Sequence, residues 1–139
     1  MGLDYGAKTV GVAISDSLFL TAQAVEVIRR GREDKERRTL ARIEELICEY
    51  GVSKIVLGMP RHMDGRMGER AIKTLAFKEK LERRSGLEVI LVDEQLTTAE
   101  AMEKMNEAGT PRAKQKGYVD MVAAALILEE YMRNENNNV

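Results

Sequence analysis

Three short apolar runs lie close together at the start of the chain, and their spacing limits how they can pair. The runs cover about Gly2 to Asp4, Val10 to Ser15 and Ala24 to Ile28. A tight turn containing Gly6 joins the first two runs. Strands this close together pair antiparallel, because a parallel crossover needs a dozen or more residues. The sequence therefore predicts that the chain begins with a three-stranded antiparallel meander.

The rest of the chain alternates between helical and strand patterns. Helices are predicted at about 34–50, 69–84, 97–109 and 115–133, and further strands at about 54–57 and 89–92. Gly51 and Gly86 end the first two helices, and a Thr97-x-x-Glu100 capping box opens the third. The resulting order, βββαβαβαα, predicts an α/β fold. Its five-stranded mixed sheet has strands 1–3 antiparallel, strands 1, 4 and 5 parallel, and helices on both faces.

The length and composition are those of one globular domain. The chain has 139 residues, of which 44% are hydrophobic and 32% charged. These values are typical of soluble proteins and predict a single domain over residues 1–133 with a frayed tail at 134–139. No apolar run approaches the ~20 residues that a bilayer span requires.

The N-terminus and the single cysteine favour a cytoplasmic protein. Asp4 and Lys8 interrupt the N-terminus before the apolar region of a signal peptide could form. Cys48 has no partner for an intrachain disulfide, which fits a reducing compartment. It is predicted to be a small buried side chain. A catalytic thiol is not favoured, since His62 is the only histidine.

Charge is unevenly distributed, although the net charge is −1. The total argues against non-specific coating of nucleic acid. The basic clusters predict either a local basic surface or a set of solvated helix faces, and the sequence leaves both open. The clusters are Arg29, Arg30, Arg32, Lys35, Arg37 and Arg38; Arg61, Arg66, Arg70 and Lys73; and Arg112, Lys114 and Lys116.

Acidic residues stand at three places where packing does not require them. Asp4 follows the first apolar run, where it could instead stabilise the turn. Asp93 and Glu94 directly follow the apolar strand at 89–92, at the end where open α/β sheets bind ligands. There, Asp93 could instead cap the next helix and Glu94 could solvate the strand end. Asp120 interrupts the run from Tyr118 to Leu128, where a charge is costly unless it is paired, protonated or metal-bound.

The surroundings of Asp120 favour a functional role. An exposed pair with Lys116 would contribute only ~0.3–0.5 kcal/mol, too little to explain an acid in the most hydrophobic helix. Ala123 and Ala124 share its helix face, and such small side chains allow a helix to approach a sheet closely.

Acids on three separate elements predict an oxygen-rich metal site. Carboxylates are the ligands that Mg²⁺ or Mn²⁺ prefer, whereas zinc would require histidine or thiolate. Two such ions could polarise a phosphodiester and generate the attacking hydroxide from water.

Other signals point to weaker alternatives. The pattern Gly2-x-Asp4-x-Gly6, followed by Lys8 and Thr9, resembles the nucleotide phosphate turn of actin and the sugar kinases. Those folds need two domains of this kind, and the chain has room for one. His62 fits either a surface histidine or a phosphate contact.

Five segments in order resemble the YqgF (RuvX) family, whose members are called pre-16S ribosomal RNA nucleases or Holliday junction resolvases. The segments are Gly2-Leu3-Asp4-Tyr5-Gly6-x-Lys8-x-Val10-Gly11-Val12-Ala13; Thr21-Ala22-Gln23; Gly58-Met59-Pro60-x-x-Met63-Asp64-Gly65; Asp93-Glu94-Gln95-Leu96-Thr97-Thr98-x-Glu100-Ala101; and Lys116-x-x-Val119-Asp120-x-x-Ala123-Ala124.

The resemblance implies an RNase H-like fold with five strands. It also implies that Asp4, Glu94 and Asp120 form the family's acidic triad, with Asp93 as a neighbour that could add a ligand. Gln95 stands where the family usually has arginine, and His62 stands where it usually has asparagine.

The sequence therefore predicts a cytoplasmic, metal-dependent nuclease with two Mg²⁺ or Mn²⁺ ions, acting as a monomer or a homodimer. The favoured substrate is the 5′ region of pre-16S ribosomal RNA, and a four-way DNA junction is the alternative. Two further hypotheses are a catalytically silent nucleic-acid-binding module and a fragment of a nucleotide phosphotransferase. Candidate nucleic-acid contacts are Lys8, Arg61, His62, Thr97, Thr98, Lys114 and Lys116.

Overall fold

A computed structural model describes most of the chain. It covers residues 1–6, 8–16, 21–30, 36–59, 68–93 and 112–137, and in the last range it describes the side chains of 122–135. The elements in chain order are β1 (Gly2–Tyr5), β2 (Thr9–Ser15), β3 (Ala22–Arg29), α1 (Arg37–Tyr50), β4 (Ile55–Met59), α2 (Glu69–Ser85), β5 (Val89–Asp93) and α3 (Arg112–Asn137).

The strands form one five-stranded mixed sheet in the order β3-β2-β1-β4-β5. The pairs β1–β2 and β2–β3 are antiparallel, and the pairs β1–β4 and β4–β5 are parallel. This confirms the predicted meander and the predicted parallel strands. The short β1 is the central strand, so both of its edges are paired.

The side chains of β1 alternate between two hydrophobic cores. Leu3 and Tyr5 belong to the core beneath α1 and α2, which also contains Ile43 and Phe77. The core on the other face is built from α3 residues such as Ile127, packed against Val56 and Ala13 of the sheet. The predicted arrangement with helices on both faces is therefore confirmed. Each fully buried aliphatic side chain contributes about 1.5–3 kcal/mol to this packing.

Glycines end α1 and α2 as predicted. Gly51 and Gly86 adopt left-handed conformations with φ of 64° and 72°. Their amides donate to the carbonyls of Ile47 and Glu82, which satisfies helix-end acceptors that would otherwise lack partners.

Several predicted boundaries and one burial assignment differ from the structure. Cys48 is exposed, so its prediction as a buried side chain is wrong. The buried face of α1 runs through Leu40, Ile43 and Leu46, and position 48 points away from it. The last helix extends to Asn137, because no glycine or proline stops it at the residues predicted to fray. The helix predicted at 97–109 lies outside the described residues.

Within the residues that the structure covers, no helix is both long enough and apolar enough to cross a membrane.

Candidate metal centre

Asp4 lies at the carboxyl end of the central strand, on the face that α3 covers. Its Cα pairs with Gly11 of β2, and the residue is half-buried. Leu3 and Tyr5, its neighbours, both face the α1/α2 core. Because side chains alternate along a strand, Asp4 faces α3 instead.

The closest approach of α3 to β1 is at Gly2. A Cβ at this position would lie 2.6 Å from the carbonyl oxygen of Ala124 and 2.8 Å from Cβ of Leu128. The predicted close packing at Ala124 is therefore confirmed, and the absence of a side chain at Gly2 makes it possible.

The contacts of α3 indicate the direction in which it runs past β1. Tyr131 accepts a hydrogen bond from Lys54, just before β4, so the later half of α3 lies at the start of the parallel strands. We therefore expect its earlier half to extend toward their carboxyl ends. From the contact at Gly2, two strand residues cover about 6.7 Å, and four helix residues back from Ala124 cover about 6 Å. By this count, Asp4 and backbone position 120 are expected at similar distances from the contact at Gly2.

Asp93 takes a different position. It is the last residue of β5, and its Cα pairs with Met59 of β4. Leu91 packs against the α1/α2 core, whereas Val92 packs against the α3 core. By alternation Asp93 shares the face of Leu91, so the structure does not bring it to the same face as Asp4.

The other predicted site residues are described only in part. Lys8 is exposed in the turn between β1 and β2. Asp120, Lys114 and Lys116 lie on α3, with side chains outside the described part of the chain. Within that part, no group of three or more acids, histidines and cysteines could hold a metal ion. The remaining predicted residues, Glu94, Arg61, His62, Thr97 and Thr98, lie outside the described residues.

The turn that follows Asp4 is held by a dense set of hydrogen bonds. The Gly6 amide donates to the Thr9 carbonyl at 2.8 Å, and the Arg30 amide donates to the Lys8 carbonyl at 2.8 Å. The Arg30 guanidinium donates to the Gly6 carbonyl at 2.5 Å, and the Arg70 guanidinium donates to the Tyr5 carbonyl at 3.0 Å. The two residues after Asp4 are thus each bound by an arginine from another element.

The same arginines pack on the ring of Tyr5. The guanidinium carbons of Arg30 and Arg70 lie 4.4 Å and 4.9 Å from the ring centroid. Phe77 of α2 stacks on this ring with a centroid distance of 4.2 Å and an interplanar angle of 21°. Cations near an aromatic face are attracted by its quadrupole, and more strongly when water is excluded.

Glu36 supplies the negative charge of this cluster. It accepts hydrogen bonds from the Tyr5 hydroxyl at 2.6 Å, from Arg30 at 3.2 Å and from Lys80 at 3.0 Å. Burial by itself would raise the pKa of Glu36, but hydrogen bonds from Tyr5 and Lys80, with the charges of Lys80 and Arg30, hold this pKa below its ordinary value. Burial and the hydrogen bond to Glu36 raise the pKa of Tyr5 to about 12.

The sequence places Arg30 and Arg70 in basic clusters that could be solvated, and it does not indicate that they bind the turn after Asp4. The Arg30 side chain is in fact only 2% exposed. One signal was available for Arg70. It lies in the first turn of α2, where the helix dipole disfavours a cation, so a tertiary partner was to be expected.

A cavity of about 670 Å³ lies at the other end of the sheet. It is lined by residues including Met1, Lys54, Val56 and Tyr131. These residues surround the start of β1 and β4. The cavity is therefore separate from the carboxyl end where Asp4 lies.

Comparison with known proteins identifies relatives along nearly the full chain. The family model "RuvX: Holliday junction resolvase" matches residues 1–134. A protein from Agathobacter rectalis is 52% identical over 138 residues, which is 99% of this chain and 96% of the relative. A protein from Listeria monocytogenes is 46% identical over 136 residues, 98% of each chain. Both carry the name "Putative pre-16S rRNA nuclease".

Solved structures share the fold. Thermus thermophilus RuvC in complex with a Holliday junction substrate has a TM-score of 0.63 at 14% identity, covering 99% of this chain and 95% of that chain. A second structure of RuvC from this organism has a TM-score of 0.56 at 16% identity, with 98% and 95% covered. The likeness confirms the RNase H-like fold.

Proposed function

The chain belongs to the RuvX family, described as Holliday junction resolvases, and on that premise we propose that it is a metal-dependent nuclease that hydrolyses phosphodiester bonds. One observation carries the proposal. Asp4 stands at the carboxyl end of the central strand, on the face that α3 packs against at Gly2. A half-buried acid on a paired strand, next to a helix that carries a second acid, is suited to holding a cation.

Asp4, Glu94 and Asp120 are the residues that would hold the metal. The proposal requires Glu94 to lie near Asp4. The set contains only carboxylates, which suits Mg²⁺ or Mn²⁺ and not zinc. When bound, two such ions would activate water and stabilise charge on the phosphate. In this arrangement the carboxylates act as ligands, while basic side chains such as Lys8 contact the backbone of the nucleic acid.

The proposed substrate is the 5′ region of pre-16S ribosomal RNA, on the basis of the names of the relatives. A four-way DNA junction is the second candidate, since the family description and the RuvC complex both refer to junctions. A resolvase cuts two strands and needs a symmetric dimer, whereas a trimming nuclease can act as a monomer. The expected location is the cytoplasm, where both substrates would be reached.

The test is cleavage of both substrates by the purified chain with Mg²⁺, Mn²⁺ or a chelator. We expect metal-dependent cleavage that Asp4→Asn lowers at least about 100-fold, because losing a ligand removes charge stabilisation at the phosphate. Binding of nucleic acid should persist. Glu49→Gln, at an exposed position on α1, is the matched control and should cleave as the wild type does.

The outcomes separate the hypotheses. Binding without any metal-dependent cleavage would identify a silent binding module and contradict the proposal, as would full activity in Asp4→Asn. Preference for precursor RNA or for the junction identifies the substrate. Sedimentation with and without junction DNA determines whether a dimer forms.

A further inference from the structure

We infer that Arg30 and Arg70 are positioning residues for the Asp4 carboxylate, acting through the backbone of the turn that follows it. The inference rests on the proposed function, because that function makes Asp4 a metal ligand, and a ligand depends on its position. The Arg70 guanidinium binds the carbonyl of Tyr5 and the Arg30 guanidinium binds that of Gly6, the two residues that follow Asp4 in the chain.

The strand needs such support because it is short. β1 has four residues, Asp4 is its third, and the exposed Lys8 lies in the turn just beyond. Strand ends and turns open locally at low free-energy cost. A metal ligand must instead be held close to one geometry, since small misplacements reduce catalysis strongly. The hydrogen bonds from Arg30, which directly follows β3, and from Arg70 of α2 connect the end of β1 to these two longer elements.

Burial argues that Arg30 acts within the fold. Its side chain is 2% exposed, and its partners include the Gly6 carbonyl, the Tyr5 ring and Glu36. A buried guanidinium without a counter-charge would be costly, and Glu36 provides that charge. A side chain so enclosed cannot also contact nucleic acid.

The location of Arg70 supports the same role. A cation in the first turn of α2 opposes the helix dipole, so its position is not explained by helix stability. Its guanidinium lies 4.9 Å from the Tyr5 ring centroid and 3.0 Å from the Tyr5 carbonyl oxygen. Phe77 stacks on the same ring and ties the contact to the middle of α2. Arg30 and Arg70 thus approach one tyrosine from two elements.

The experiment compares Arg30→Met and Arg70→Met with the wild type. Calorimetry measures the affinity for Mn²⁺ alone, kinetics give kcat and KM, and hydrogen exchange follows the Gly6 amide. We expect about 10-fold weaker Mn²⁺ binding and about 10-fold lower kcat, the usual effect of losing a group that orients a ligand. KM should change less than about 2-fold, because the inference assigns neither arginine a contact with the nucleic acid. The Gly6 amide should exchange faster.

Three further variants keep the test decisive. Arg42→Met removes a bidentate pair with Glu26, at 2.6 Å and 2.8 Å, between α1 and β3. This matched control should leave Mn²⁺ affinity and kcat unchanged. If Arg30→Met does not fold because Glu36 loses one of its two cationic partners, the double variant Arg30→Met/Glu36→Gln removes both charges. Arg70→Lys retains the charge but not the planar fork, so partial recovery is expected.

Three results would overturn the inference. A higher KM with unchanged Mn²⁺ affinity would make the arginines phosphate contacts. A lower melting temperature alone would make them structural. Arg30→Met and Arg70→Met variants that match the wild type in every measurement would show that the arginines do not position Asp4. A wild type that neither binds Mn²⁺ nor cleaves would instead refute the proposed function, so the two failures are distinguishable.

Discussion

At the scale of the residue, most of the unusual chemistry gathers around Tyr5. Its ring lies in the core, its hydroxyl donates to Glu36, and its carbonyl accepts from Arg70. Glu36 in turn pairs with Arg30 and Lys80. The carboxylate of Glu36 offsets the charges of Arg30 and Lys80. Changes to one member should therefore affect the others.

Tyr5 is expected to ionise later than an ordinary tyrosine. Burial and the hydrogen bond to Glu36 raise its pKa to about 12. Because the folded-state pKa exceeds the unfolded value of 10.0, the stability it contributes is complete below pH 10 and lost as pH rises through about 12. Alkaline titration followed by tyrosinate absorbance should show one late step, absent in Tyr5→Phe. Ionisation of all four tyrosines together near pH 10 would contradict this.

Glu36→Gln should destabilise the protein at neutral pH by about 2 kcal/mol, because the buried Arg30 loses its counter-charge. The wild-type carboxyl has a lowered pKa, so its contribution is present above the ordinary value of 4.5 and lost as pH falls through the folded-state pKa. Urea unfolding at neutral and acid pH measures both effects. Glu69→Gln, in an exposed pair with Lys73, is the control and should change stability little. Equal losses of unfolding free energy in the two variants would refute the role of Glu36 as the counter-charge of Arg30.

At the scale of the element, the contact between β1 and α3 depends on one glycine. Gly2 allows the helix backbone to approach the strand directly. It lies two residues before Asp4, on the same face of the sheet. Under the proposed function, this contact would therefore also govern the distance between Asp4 and position 120.

Gly2→Ala should cost about 2 kcal/mol, because its Cβ would lie 2.6 Å from the backbone oxygen of Ala124. The helix must then move away from the strand, so Mn²⁺ affinity should fall together with stability. Urea unfolding and calorimetry measure the two effects. Gly51→Asn is the control, since nothing lies within 4 Å of a Cβ there and asparagine tolerates the left-handed conformation. An unchanged urea midpoint of unfolding in Gly2→Ala would show that α3 does not pack closely against β1.

At the scale of the whole molecule, one sheet separates two hydrophobic cores. Leu57 faces the core of α1 and α2, while Val56 faces the core of α3. Because adjacent residues of β4 belong to different cores, neither core can lose its packing without disturbing the shared strands. The described elements are therefore expected to unfold as one cooperative unit.

Ile127→Ala and Leu57→Ala test this expectation, since both side chains are fully buried, on opposite faces. Each should cost about 3 kcal/mol through lost burial and the cavity left behind. Circular dichroism and tyrosine fluorescence should report one shared transition in each variant. Ile72→Ala, at a residue 58% exposed, is the control and should have little effect. Separate transitions by the two probes would show that the cores unfold independently.

The sequence by itself determined the order of the strands along the chain, the mixed sheet and the helix ends at Gly51 and Gly86, because these follow from local periodicity, turn chemistry and chain spacing. Its resemblance to a family supplied the assignment of Asp4, Glu94 and Asp120 as a triad, which stays a prediction. Only the tertiary structure revealed that Asp93 faces away from Asp4 and that Arg30 and Arg70 bind the turn. Those contacts join residues 24 and 65 positions apart in the chain, and no local pattern encodes them.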